Sequence, residues 1–163
     1  MYKYMANEIS KLKILIIEDN EMHLTAMRDE LIANFPEDVV IFPLIPELNE
    51  SFDSANIYVF LPLIQALREE KFETVIRHYS DIDIFVIDVA LNGDKDKIGI
   101  ELCKQINETD LAKTPVKIVV SQYGSLEDEV KRLGAYFIWK AEYDNFEYEV
   151  VELIRKIMGD DKL

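Results

Sequence analysis

Residues 12–20 read LKILIIEDN, a short apolar run rich in isoleucine that ends abruptly in the acidic pair Glu18 and Asp19. A strand apolar on both faces has to be covered on both sides, which is the situation of a central strand in a parallel sheet. Directly after it, Asn20 offers an N-cap. Met22, Ala26, Met27, Leu31 and Ile32 then recur at helical spacing until Pro36 closes the element. The opening unit is therefore strand, acidic turn and helix.

The alternation continues outward. Val39–Phe42 reads as a second strand, and Pro62 to Tyr79 as a helix, with Pro62 in its first turn and Ile64, Leu67, Phe72, Val75 and Ile76 as its apolar positions. Ile84–Ile87 is a buried strand ending in Asp88, Ile98–Asn107 a helix, and Val116–Val120 a strand ending in Ser121. Ser125, with Asp128 three residues on, resembles a capping box and opens a short helix that ends at Gly134. Tyr136–Trp139 is a fifth strand, followed by Lys140, and the last helix runs from Asp144 to Met158. Residues 43–61 exceed an ordinary connection of about 2 to 6 residues, although 57–61 has the composition of a strand. They are expected to be an insertion between the second strand and the second helix.

Strands that alternate with helices pair in parallel and place helices on both faces of one twisted sheet. The expected class is α/β: a three-layer, doubly wound (βα)5 domain spanning residues 10–158, with terminal extensions at 1–9 and 159–163. Composition agrees with one folded unit, since 49% of the 163 residues are hydrophobic and 31% charged, with only 5 Gly and 5 Pro. The net charge of −14, from 18 basic and 32 acidic residues, repels phosphate backbones and anionic membrane surfaces, so neither nucleic acid nor membrane is an expected partner. No apolar run approaches the roughly 20 residues of a membrane span. The single cysteine, Cys103, cannot close an internal disulfide and fits a reducing cytoplasm, where it reads as a small buried hydrophobe.

In sheets of this kind ligands bind beyond the carboxyl ends of the strands. The residues there are Glu18, Asp19, Asp88, Ser121 and Lys140. Carboxylates gathered on one rim repel each other, and a hard divalent cation with oxygen ligands relieves them, Mg²⁺ being the natural candidate. A rim so charged accepts phosphate. Lys140 can then neutralise one phosphoryl oxygen and Ser121 donate to another while a carboxylate attacks phosphorus, giving an aspartyl phosphate. Singly, each of these residues could be a helix cap or a solvated surface group. Their joint occurrence after four strands argues for a site.

The segments LKILIIEDN, IFVIDVALNG with GIELCKQI behind it, KIVVSQYGS and LGAYFIWKAE together resemble four blocks of the receiver domain of two-component response regulators. The resemblance implies a flavodoxin-like sheet of order 2-1-3-4-5. By block, Glu18 and Asp19 match the acidic pair that holds Mg²⁺, with Asp19 ahead of Glu18 as direct ligand. Asp88 matches the phosphoacceptor, sharing the metal with the Ala90 carbonyl. Ser121 matches the switch hydroxyl and Lys140 the lysine that pairs with the phosphoryl group. Counted back from Lys140, the aromatic switch position is Phe137. The segment from Gly134 to Lys140 is one residue short, which leaves Tyr136 as a rival. Ala90 and Tyr123 border the path of the hydrolytic water.

The implied function is a single-domain, cytoplasmic response regulator with Mg²⁺-dependent, self-catalysed chemistry. It takes a phosphoryl group from a histidine kinase or a histidine phosphotransfer protein and slowly loses it to water. Output is expected through a downstream protein target at the face of the fourth helix, fifth strand and fifth helix, which would also serve a homodimer. Three departures bear on this. The path from Asp19 to Asp88 is roughly twenty residues longer than short loops require. LNGDKDKIG is long before Gly99 and lacks the family's Met-Pro. Ala141 stands where the family has proline. The altered loop after Asp88 motivates the alternative of a degenerate receiver acting as a non-phosphorylated protein-binding module, with the insertion as its docking surface. An Mg²⁺-dependent phosphatase or nuclease is a further rival, but the first strand lacks an Asp-x-Asp pair. His23 and His78 read as surface or half-buried structural residues, and Trp139 as a packed strand residue.

Overall fold

The computed structural model describes residues 12–35, 39–42, 57–93 and 95–159. Five strands, β1 (Leu12–Ile17), β2 (Val39–Phe42), β3 (Ile84–Asp88), β4 (Val116–Ser121) and β5 (Tyr136–Trp139), form one sheet of order β2-β1-β3-β4-β5. Every pairing is parallel. The expected class and strand order are therefore observed. Six α-helices lie among the described residues: α1 (Glu21–Asn34), α2 (Ile57–Arg68), α3 (Phe72–His78), α4 (Ile98–Glu108), α5 (Glu127–Arg132) and α6 (Phe146–Met158).

The period of two in each strand divides the core into two layers. Leu15, Ile17, Phe85, Ile87 and Val119 face α2, α3, α4 and α5, where Leu67, Ile76, Leu102 and Val130 meet them. Ile14, Ile16, Val86, Ile118 and Val120 face α1 and α6, where Leu24, Leu31, Val150 and Ile154 meet them. Each fully buried aliphatic side chain contributes about 1.5–3 kcal/mol, so the central strands are the rigid frame of the molecule. Cys103 of α4 is fully buried in the first of these layers, and burial pushes its thiol up to about 12, as its reading as a hydrophobe requires.

Several boundaries differ from the sequence expectation. The helix expected over Pro62 to Tyr79 is two helices, with Pro62 inside α2, because the chain turns at Glu69–Lys71. There Glu70 takes a left-handed φ of 60°, while Lys71 N–H donates to Ala66 O and Glu70 N–H to Leu67 O, which ends α2 as a Schellman turn. Residues 57–61 belong to α2 and not to a strand. The rest of the expected insertion, 43–56, lies outside the described residues, as do the extension 1–9 and residues 160–163 of the other.

On α1 the buried face is Leu24, Met27, Arg28 and Leu31, whereas Met22 and Ile32 are exposed. Asn20 does cap this helix, its Oδ1 accepting from His23 N–H at 3.1 Å. Ser125 opens no α-helix: it lies in a 3₁₀ turn, Gly124–Leu126, and no side chain caps α5. The cap of α6 is Asn145, whose Oδ1 accepts from Tyr148 N–H, so that helix starts at Phe146.

A non-glycine residue in the left-handed region costs about 1 kcal/mol. Glu70→Gly should therefore raise stability by about 0.5–1 kcal/mol in urea unfolding, offset in part by the freer unfolded chain. A loss of stability would show that the Glu70 side chain holds this turn.

Candidate functional site

The register assembles the rim. Ile17 of β1 pairs with Ile87 of β3, so Glu18 and Asp19 leave β1 beside Asp88. Ser121 of β4 pairs with Trp139 of β5, so Lys140 follows on the same edge. A cleft of about 230 Å³ opens there, lined by Glu18, Asp19, Asn20, His23, Asp88, Ala90, Ser121, Gln122, Tyr123 and Lys140 among others. One carboxylate oxygen from each of Glu18, Asp19 and Asp88 lies within 4.8 Å of the other two.

Lys140 crosses this acidic group. Its Nζ lies 3.2 Å from Asp88 Oδ1 and 3.8 Å from Glu18 Oε2. Behind it the ammonium sits 5.3 Å from the centre of the Phe146 ring at the start of α6, a cation–π contact that fixes the side chain although Ala141 follows it. Glu18 also accepts from Asn20 N–H at 3.1 Å. Burial, and after it the neighbouring Asp88 carboxylate, push Glu18 up to about 8 against the pull of Lys140. Burial likewise raises Asp88, opposed by Lys140.

Ser121 is 1% exposed, and its Oγ accepts from Tyr123 N–H at 2.9 Å, which leaves the hydroxyl proton free to be directed elsewhere. On β5, Phe137 pairs with Val119 and so shares the sheet face of Ser121, whereas Tyr136 pairs with Ile118 on the opposite face and is exposed. Of the two rival aromatics, only Phe137 is on the side of the hydroxyl. Trp139 is more exposed than a packed strand residue. Its Nε1–H donates to Gln122 O at 2.9 Å, and its ring covers Gly124.

No protein-family model and no curated protein matches the sequence. Solved structures do match. A LuxR-family DNA-binding response regulator from Staphylococcus aureus superposes with a TM-score of 0.59 at 17% identity, over 91% of this chain and 99% of that one. A CheY-like receiver domain from Methanospirillum hungatei gives 0.54 at 21% identity, over 94% and 97%. The Mn²⁺-bound form of response regulator Rcp1 gives 0.53 at 17% identity, over 88% and 91%.

The chain has the fold of a response regulator receiver domain.

Within that fold, sequence reasoning missed three residues at the rim. Asp96 organises the long loop after Asp88: its carboxylate accepts from the backbone N–H groups of Leu91, Asn92 and Ile98 at 2.8–3.1 Å. The signal for it was an aspartate two residues before a helix start. Arg68 reaches from the end of α2 to Asp19 Oδ2 at 3.4 Å and to the Leu91 carbonyl at 2.6 Å. No local pattern announces that contact. His23, expected as a structural residue, is exposed but lines the cleft.

Gly99 closes the receiver rim from beneath, where α4 passes under the end of β3 and Gly99 N–H donates to Val89 O at 2.9 Å. A Cβ there would stand 2.2 Å from the Asp88 carbonyl oxygen. Gly99→Ala should therefore cost about 1–3 kcal/mol by forcing that backbone to move, readable by chemical denaturation. A neutral substitution would mean that α4 can shift without disturbing Asp88.

The raised Glu18 also sets a pH dependence. In the metal-free fold it keeps a proton between its ordinary value of 4.5 and about 8, which the unfolded chain gives up. The associated stability is present below that window and is lost as pH rises through it. In chelator, the melting temperature should fall from about pH 5 to about pH 9, and Glu18→Gln should flatten the fall. Identical profiles for parent and variant would place the titration elsewhere.

Proposed function

We propose that this chain is a receiver that accepts a phosphoryl group on Asp88 from a phosphohistidine of a histidine kinase or histidine phosphotransfer protein. The observation that carries this is the position of Asp88 at the end of the central strand, 3.2 Å from Lys140 Nζ and clustered with Glu18 and Asp19. A buried carboxylate with a raised pKa is a stronger nucleophile than a solvated one once its proton is displaced. One Asp88 oxygen attacks phosphorus, the bond from phosphorus to the imidazole nitrogen breaks, and the electron pair leaves with the imidazole. Lys140 then pairs with the acyl phosphate, and Ser121 donates its hydroxyl proton to a phosphoryl oxygen.

The donor set fits a hard divalent ion: three carboxylates share the rim, and burial beside Asp88 raises Glu18 well above the ordinary carboxylate range. Asp19, Asp88 and the Ala90 carbonyl would hold Mg²⁺, with Glu18 beside them. Such an ion supplies neutralisation of the phosphoryl oxygens. Tyr123 lines the same cleft, and its bulk would screen the acyl phosphate from water.

Output runs through a downstream protein target at the face of α5, β5 and α6, which also suits a homodimer. Support for this face comes from its exposed aromatics, Tyr136, Trp139, Tyr143 and Tyr148, and from Phe137, which lies on the sheet face of Ser121. Cytoplasmic action as a single-domain regulator belongs to the same proposal. No helix among the described residues is long and apolar enough to cross a membrane. The degenerate receiver, motivated by the long loop after Asp88, is the less favoured reading, because Glu18, Asp19, Asp88, Ser121 and Lys140 are all gathered at one edge.

Incubation with acetyl phosphate and Mg²⁺ should add one phosphoryl mass to the intact protein. Asp88→Asn should remove that addition, and chelator should suppress it. Retention of the label in Asp88→Asn would move the acceptor elsewhere. Failure of the parent to label, with either acetyl phosphate or a phosphorylated histidine donor, would favour the non-phosphorylated binding module.

A further inference from the structure

Arg68 is the last residue of α2, where a cation normally serves only the helix dipole. Here its guanidinium is turned toward the rim and spans two partners far apart in the chain. Nε–H donates to the Leu91 carbonyl, in the loop that follows Asp88, at 2.6 Å, and Nη2 lies 3.4 Å from Asp19 Oδ2. Leu91 itself is fully buried in the same core layer as Leu63, Ile64 and Leu67 of α2. The fork is therefore anchored at the end of a packed helix, and it does not hang from the surface.

The charges of the rim divide accordingly. Lys140 lies against Glu18 and Asp88, and Arg68 lies against Asp19. Each of the three carboxylates thus has a cation beside it in the metal-free protein. A lysine can shed its proton when crowded, but a guanidinium cannot, so its charge leaves Asp19 only if the side chain moves.

We propose that Arg68 is a positioning residue of this site: a resident counter-cation that holds Asp19 and the loop after Asp88 together, and that an incoming divalent ion must displace from Asp19. The inference rests on the metal-site reading above and adds to it a competitor built into the chain. It follows that Arg68 lowers the affinity of the site for the ion, and that ion occupancy and the placement of the end of α2 are linked in both directions.

The test is a Mg²⁺ titration of the full chain at low ionic strength, followed by calorimetry and by Trp139 fluorescence. It compares the parent with Arg68→Gln, Arg77→Gln and Asp19→Asn. Arg77 pairs with Glu73 on the exposed surface of α3 at 3.0 Å, so its loss changes net charge equally without touching the rim. Arg68→Gln should bind Mg²⁺ about fivefold more tightly, the effect of removing one partly exposed charge contact, and Arg77→Gln should bind as the parent does. Unchanged or weaker binding by Arg68→Gln, or equal tightening by Arg77→Gln, overturns the proposal.

Should Arg68→Gln fail to fold, the parent decides by NMR. The Arg68 Nε–H resonance should shift along the same Mg²⁺ saturation curve as the fluorescence, and a resonance that stays in place overturns the proposal. A parent that shows no Mg²⁺ response, or an Asp19→Asn variant that binds as well as the parent, overturns instead the reading of Asp19 as a metal ligand and the inference with it.

Discussion

Three carboxylates held within 4.8 Å of one another at the end of a parallel sheet are the constraint around which the rest of the molecule is arranged. Solvent does not screen them fully, since Glu18 is only 7% exposed, and each like-charge contact at a partly solvated edge costs on the order of 1 kcal/mol. The chain cannot relieve this by letting the strands slide. A slip of one residue would exchange Ile14 and Ile16 with Leu15 and Ile17 between the two packed layers, and the misfit in both layers costs more than the repulsion. The apolar frame therefore sets the positions of the charges, and relief has to come from groups brought to them.

Those groups come from opposite ends of the fold. Lys140 comes from the end of the edge strand β5 and is steadied by Phe146 of α6, while Arg68 comes from the end of α2, the first of the two helices that stand where one was expected between β2 and β3. Asp96 fixes the loop between them through three backbone N–H groups. Each arm reaches the rim from an element packed on its own side of the sheet. A change in the rim's charge is thereby felt at α2, at the loop after β3 and at β5 together.

What the sequence made legible follows from the range of the interactions. The central strands and their rim residues were readable because a central parallel strand is apolar on both faces, so the polar residue that closes it marks the carboxyl edge: Asp88 after IFVI, Ser121 after VKIVV. The turn between α2 and α3 was not, because its left-handed position carries Glu70 where a glycine would have announced it, and the apolar spacing runs on through it. Ser125 misled for the converse reason, its local pattern resembling a cap that the 3₁₀ turn does not use. Arg68 was invisible because its partners lie 23 and 49 positions away, a separation at which no periodicity or motif operates. That Phe137 and not Tyr136 shares the sheet face of Ser121 needed the pairing of β5 with β4, which sequence spacing alone left one residue uncertain.

The same crowding links the stability of the metal-free fold to its appetite for a ligand. Repulsion that remains unrelieved destabilises the native state, and a cation that binds only that state recovers it by mass action. Relief already supplied from within, by the proton that Glu18 keeps up to about pH 8, by Lys140 and by Arg68, is relief that an external ion can no longer provide. Each internal device thus makes the unliganded protein more robust and its ligand weaker by the same free energy. Under the proposed function that balance is useful, since a site that bound an ion or a phosphoryl group without competition would hold it permanently, and one with no internal cations would strain the fold at its central strands. One lysine and one arginine balance the rim only while Glu18 keeps its proton, and once that proton leaves the rim is one positive charge short, enough to attract a ligand and to let it go.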